Sequence, residues 1–191
     1  MNPERRDRLR DAAIEILAEA GGRGLTHRAV DDAAAVPYGT AKNYFPTRDA
    51  LLRAAAERCQ ELYRATAAHG ATRIPEDRAA LAAALAALLR DVTGPGRPRL
   101  LAYQELQAEA ARRPWLSAIL DPIAAGDFTA FEQAQRAAGL PVTPERAAVV
   151  TLALHAAIPH LLAATPATLA AAGLDDLDRF TLDLLQAVYP G

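Results

Sequence analysis

Apolar residues recur along this chain at helical rather than strand spacing. Leu9, Ala12, Ala13, Ile16, Leu17 and Ala20 follow the i, i+3, i+4, i+7 rhythm that lays them on one side of an α-helix. Asn2-Pro3 opens that helix and Gly21-Gly22 stops it, because glycine enters the left-handed C-terminal conformation freely. Two short helices are predicted next, at 26–34 with Thr26 as N-cap and at 37–45. A longer helix follows from a Thr47 cap to about Ala68, with Asp49 favourably placed in its first turn. His69-Gly70 should begin a loop.

Ile74-Pro75 precedes a helix carrying the stripe Leu81, Ala84, Leu85, Leu88, Leu89 and Val92, closed by Gly94-Pro95-Gly96. Further helices are expected at 97–113 and from Pro114-Trp115 to Ala138, the latter breaking near Asp121-Pro122 or Gly126. Thr143-Pro144-Glu145 starts another helix, running to about Ala164 with a kink at Pro159, and 174–189 is the last. Alternation of period two is nearly absent. The expected fold is therefore all-α, about nine helices, with no internal repeat.

The 191 residues are 51% hydrophobic and 23% charged, enough apolar material for a substantial core. Net charge is −2, so any nucleic-acid binding must come from a local patch rather than a global positive field. One cysteine excludes an internal disulfide and a Cys-based zinc site. No apolar run is seen to reach the roughly 18 residues of a membrane span, and no signal-like start is present, so the chain is expected to be soluble and cytoplasmic. Alanine occurs 47 times, and 20 of the 21 basic residues are arginine. Base composition biases such counts, so neither is read as chemistry.

Two short helices joined by a tight turn within the first fifty residues are the layout of a helix-turn-helix. The run Leu25-Thr26-His27-Arg28-Ala29-Val30, followed by Val36-Pro37-Tyr38-Gly39-Thr40-Ala41-Lys42-Asn43-Tyr44-Phe45-Pro46-Thr47-Arg48-Asp49-Ala50-Leu51-Leu52, resembles the DNA-binding domain of TetR-type transcriptional regulators. The match lies at Val36, Gly39, Thr40, Tyr44, Phe45, Thr47, Arg48, Asp49 and Leu51, and the resemblance covers about residues 5–60. Pro37 stands where the family usually has a small hydroxyl residue, and Lys42 where it usually has Tyr.

A recognition helix needs small or polar residues at its start to enter the major groove. Tyr38-Gly39-Thr40 supply them. Lys42, Asn43, Tyr44 and Arg48 are candidate phosphate or base contacts, and Thr26 with His27 begins a helix whose free N–H groups suit a phosphate. Arg28 suits a bidentate guanine contact. Val30, Val36 and Phe45 are read as the small core between the two helices. Residues 1–50 hold eight basic and eight acidic residues, so the patch is expected around Arg28, Lys42 and Arg48. Arg5, Arg6, Arg8 and Arg10, interleaved with Glu4, Asp7 and Asp11, read as a solvated face rather than a phosphate-binding arm.

The resemblance implies a reading domain at 1–48 and a ligand-binding and dimerisation domain at 49–191. It implies a homodimer on a palindromic operator, most often a repressor released by a small molecule, with no cofactor. Candidate pocket residues are Cys59, Leu62, Tyr63, Tyr103, Gln107, Trp115, Phe128, Phe131 and His155. The expected dimer face carries Val149, Leu152 and Ala156, with Leu177, Phe180, Leu184 and Val188 from the last helix; Leu182 and Leu185 make that helix apolar on a second flank.

His155 and His160 stand five apart, which splays them and excludes a metal pair; each is read as a satisfied buried histidine. Glu105 and Glu109, followed by Arg112-Arg113, are read as an exposed salt-bridged face. Cys59 has no nearby basic group except Arg58, which should point to another side of the helix. No catalytic constellation is present. An all-α enzyme and a helical scaffold that binds no DNA are the alternative readings.

Overall fold

The computed structural model describes residues 2–70 and 74–190, with 67–70 by backbone alone. Among them are ten helices and no strand: α1 (Pro3–Gly24), α2 (His27–Ala33), α3 (Thr40–Tyr44), α4 (Arg48–Gly70), α5 (Arg78–Thr93), α6 (Arg97–Ala110), α7 (Pro114–Ala137), α8 (Pro144–Ala163), α9 (Pro166–Ala171) and α10 (Leu177–Val188). Most begin where a side chain can accept the first free N–H groups. Asn2, Thr26, Thr47, Asp77, Thr143, Thr165 and Asp176 each accept a backbone hydrogen bond from the residue three positions on. Gly21 interrupts α1 with φ 64°, and one further turn runs on to Gly24.

Contacts gather into two compact units, one of residues 1–69 with 98–123, the other of 70–97 with 124–191. The core of the first is built from Leu9, Ala13 and Leu17 of α1, Val30, Phe45, Leu51 and Leu52, and Leu106 and Leu116. Arg10 is buried there. Its Nη1 donates to Asp7 Oδ1 (2.9 Å), its Nη2 to Glu61 Oε1 (2.6 Å) and its Nε to the Ala54 carbonyl (3.3 Å). Arg58 adds two bonds to Asp11, at 2.7 and 3.1 Å, and one to Glu61 at 3.2 Å. A buried guanidinium is tolerable only when paired in this way. The network ties α1 to α4.

In the second unit α5, α8 and α10 pack on one another. Leu81, Leu85 and Leu89 of α5, Val150, Leu154 and Leu161 of α8, and Leu185 and Tyr189 are all buried. Thr181 Oγ1 donates to the Ala82 carbonyl (2.9 Å), and the buried Tyr189 hydroxyl donates to Gln135 Oε1 (2.9 Å). Polar groups buried this deep need such partners.

Several expectations are corrected. The helix predicted at 37–45 begins only at Thr40, because Gly39 sits at φ 90° and Pro37–Gly39 form a turn. The helix expected to end near Ala68 continues to Gly70. In α5 the buried stripe is Leu81, Ala82, Leu85, Ala86, Leu89 and Val92, with Ala84 and Leu88 exposed. α7 does not break at Pro122 or Gly126, and the short α9 was not foreseen. Arg10 lies in the interior, not on a solvated face, and His160 is exposed. α8 is long and apolar enough to cross a membrane by length and composition, although no such run was expected.

Candidate nucleic-acid interface

The geometry of the helix-turn-helix centres on Asp31, a residue the sequence reading did not single out. It sits near the end of α2, 1% exposed. Its Oδ2 accepts from the Gly39 N–H at 2.7 Å and its Oδ1 from the Ala41 N–H at 2.6 Å. Gly39 has no side chain to cap α3, so the carboxylate of the preceding helix does so and holds the two at a set angle. Its position on an otherwise apolar inner face was the only signal in the sequence. Between the helices, Ala35 takes φ 49°, the left-handed conformation that ends α2. The Val36 N–H returns to the Asp31 carbonyl at 3.0 Å.

Ala41 and Phe45 turn inward, and Val36 packs partly buried against them, as expected of the small core. The opposite side of the turn and of α3 exposes Pro37, Tyr38, Gly39, Lys42 and Asn43. Tyr38 is 66% exposed, and the Arg28 guanidinium carbon lies 5.0 Å from its ring centroid. Thr26 is exposed as the cap of α2. Thr40 is half-buried and donates to the Pro37 carbonyl at 2.5 Å.

Three other candidates are engaged within the chain. His27 Nε2 donates to the Phe45 carbonyl at 2.6 Å, which fixes the proton on that nitrogen because a carbonyl only accepts. The Tyr44 hydroxyl donates to the Asn2 carbonyl at 3.4 Å. Arg48 donates through Nη1 to the Leu25 carbonyl (2.5 Å) and through Nη2 to the Gly22 carbonyl. Arg48 therefore closes the end of α1 onto the start of α4. Glu105 of α6 meets the same place, its Oε2 accepting from the Gly22 N–H at 2.7 Å. Both carboxylates are largely withdrawn from solvent, so the expected exposed salt-bridged face is corrected: Glu105 caps Gly22, and Glu109, its side chain 14% exposed, keeps the pairing with Arg112 and Arg113.

The candidate pocket residues divide between the units. In the first, the Tyr63 and Tyr103 rings are tilted at 51° with centroids 5.3 Å apart, Leu62 is partly buried against the core, and Trp115 lies under the Arg53 guanidinium at 4.6 Å. Gln107 is exposed. Cys59 is fully buried, and burial pushes its thiol up to about 12. In the second, His155 Nε2 donates to Asp127 Oδ2 at 3.1 Å, with Phe128 edge-on at 5.9 Å and Phe131 half-buried. His155 is thus partnered but only half-buried. Among the described residues no group of three or more His, Cys, Asp or Glu is arranged to hold a metal ion.

On the dimer candidates, α8 exposes Val149 (50%), Leu152 (56%) and Ala156, while Leu177, Phe180, Leu184 and Val188 are half-buried. Thr181 and Leu185 of α10 turn fully inward, as does Tyr189 just after it.

The described residues are all helical or loop, opening with a helix-turn-helix and continuing into longer helices. Residues 76–187 match the family model described as the tetracyclin repressor-like C-terminal domain. The multidrug binding protein EbrR, crystallised with imidazole, is 31% identical, covering 100% of this chain and 92% of that one with a TM-score of 0.69. Its ethidium complex aligns at 30% identity over 98% and 99% of the two chains, with a TM-score of 0.68. A TetR-family member from Streptomyces coelicolor A3, SCO1917, is 29% identical over 99% and 100%, with a TM-score of 0.69. No curated protein sequence matches the chain. The chain belongs to the TetR family of transcriptional regulators. Members of that family are regulators, typically DNA-binding repressors that respond to ligands, and not enzymes.

Proposed function

We propose that the chain is a homodimeric repressor that binds a palindromic operator through residues 1–48 and is released by a small molecule held by residues 49–191. The observation that carries this reading is the Asp31 clamp on Gly39 and Ala41, with Tyr38, Lys42 and Asn43 left exposed on the far side. A fixed helix start with a free polar edge is what major-groove docking requires. Arg28, Lys42, Asn43 and the cap at Thr26 make the DNA contacts in this reading, with Tyr38 against Arg28. Arg48 and His27 act on DNA indirectly, by holding the helices that carry the others.

The exposed apolar stripe of α8 and the half-exposed one of α10 pair with a two-fold copy. Two reading heads then address half-sites about 34–36 Å apart, or a multiple of that. The effector is an aromatic molecule, as EbrR's ethidium is, with the tilted Tyr63–Tyr103 pair as its candidate contact. Acting on chromosomal DNA, the protein works in the cytoplasm. Retarded migration of its own upstream DNA in a gel, abolished by specific competitor but not by unrelated duplex, tests the reading. Equal competition by both duplexes would overturn it.

A further inference from the structure

Arg28 and Asp32 stand four residues apart on α2 and so share one face of it. Tyr38, in the turn leading to α3, closes over that face. Its ring lies under the Arg28 guanidinium, 5.0 Å from centroid to guanidinium carbon. Asp32 and Tyr38 also line the same open groove, with Pro37 and Val36 between them. All three side chains are exposed, and none belongs to the core that holds α2 against α3. The neighbouring Asp32 carboxylate raises the Tyr38 phenol above its ordinary pKa, because ionising it would set two negative charges side by side, while the Arg28 guanidinium pulls the other way.

An exposed arginine ordinarily samples many rotamers and loses that freedom when it binds. Contact with the ring restrains where the guanidinium sits, and its fork of five N–H donors matches the O6 and N7 acceptors of guanine. We propose that Arg28, Tyr38 and Asp32 form one reading unit, in which Arg28 makes the guanine contact and Tyr38 and Asp32 are positioning residues that hold it ready. Tyr38 then shapes sequence preference without touching a base. The inference rests on the DNA-binding reading above and adds which residue reads and which residues aim it.

The test is selection of duplexes from a randomised pool by the full-length protein, with the bound fraction sequenced. Wild type should enrich a two-fold half-site with guanine at one fixed pair. Arg28→Ala should lower the preference at that pair about tenfold, within the range for a lost bidentate contact. Tyr38→Ala and Asp32→Ala should lower the preference at the same pair, by about three- to tenfold. Tyr38→Phe, which keeps the ring, should retain more of the preference than Tyr38→Ala. Adding Tyr38→Ala to Arg28→Ala should cost nothing further, a coupling that a purely structural role would not produce. Loss of preference at a different base pair, or additive effects in the double variant, would overturn the proposal and leave DNA binding standing. A wild-type protein that enriches no sequence would overturn both. Because the three side chains are exposed, each variant should keep wild-type helicity by circular dichroism.

Discussion

Asp31 and Ala41 lie ten residues apart, and the 2.6 Å bond between the carboxylate of one and the N–H of the other sets the angle at which α3 leaves α2. With the 2.7 Å bond from Gly39, it makes a buried anion the cap of a helix whose own N-cap has no side chain. Asp31→Ala would leave the Gly39 and Ala41 N–H groups without their acceptor, the second of them buried. The expected loss is about 2–4 kcal/mol of stability, read from urea unfolding, with Asp31→Asn losing about half as much. An unchanged midpoint for Asp31→Ala would show that the clamp contributes nothing.

Lys42 and Arg48 are both basic and both near α3, but they should behave differently. Lys42 is exposed, so Lys42→Ala should weaken DNA binding and lower the slope of log K against log salt by about one. Arg48 spends its N–H groups on the Leu25 and Gly22 carbonyls. Arg48→Ala should therefore reduce thermal stability and affinity while leaving the salt slope at its wild-type value. A slope lowered by Arg48→Ala would return that residue to the phosphate backbone.

The Arg10 and Arg58 guanidiniums hold the carboxyls of Asp7 and Glu61 below their ordinary pKa values, chiefly through the Arg10 hydrogen bonds. Because these groups are more acidic folded than unfolded, their contribution is complete above the unfolded values of about 4. It is lost as pH falls through the lower folded values. Both carboxylates are nearly half exposed, so solvent screening keeps the effect modest. Thermal melting from pH 7 to pH 3 should show a fall below about pH 4 that Glu61→Gln makes shallower. An acid limb identical in Glu61→Gln and wild type would remove the network as its cause.

Leu152 is 56% exposed on α8, so nothing inside its own chain requires it. Leu152→Asp should leave the melt of the monomer fold intact and move the sedimenting species to a single chain mass at micromolar protein. Tight operator binding by that monomer would sink the dimer model.

Cys59 should be inert. A fully buried thiol pushed up to about 12 carries almost no thiolate at pH 8. Iodoacetamide should label the protein only after denaturant is added, and rapid labelling of the folded chain would reopen a redox role.

The ends of most helices were legible in the sequence because capping is local: Thr26, Thr47 and Thr143 act within three residues of themselves. The helix-turn-helix was legible for the same reason, with Val30, Val36 and Phe45 read as its small core, whereas the turn at Gly39 that delays α3 to Thr40 was not. Which face of α5 turns inward was not. Alanine is apolar on every side, so a stripe through Ala84 and Leu88 reads as well as the buried one through Ala82 and Ala86, and only the neighbours in α8 and α10 decide. The roles of Asp31, Arg48, Arg10 and Glu105 were hidden in a different way. Their partners are Ala41, Gly22, Glu61 and again Gly22, at separations from 10 to 83 residues. A charged side chain looks alike in sequence whether it faces water or closes a buried junction, and the difference arises only when packing removes the water.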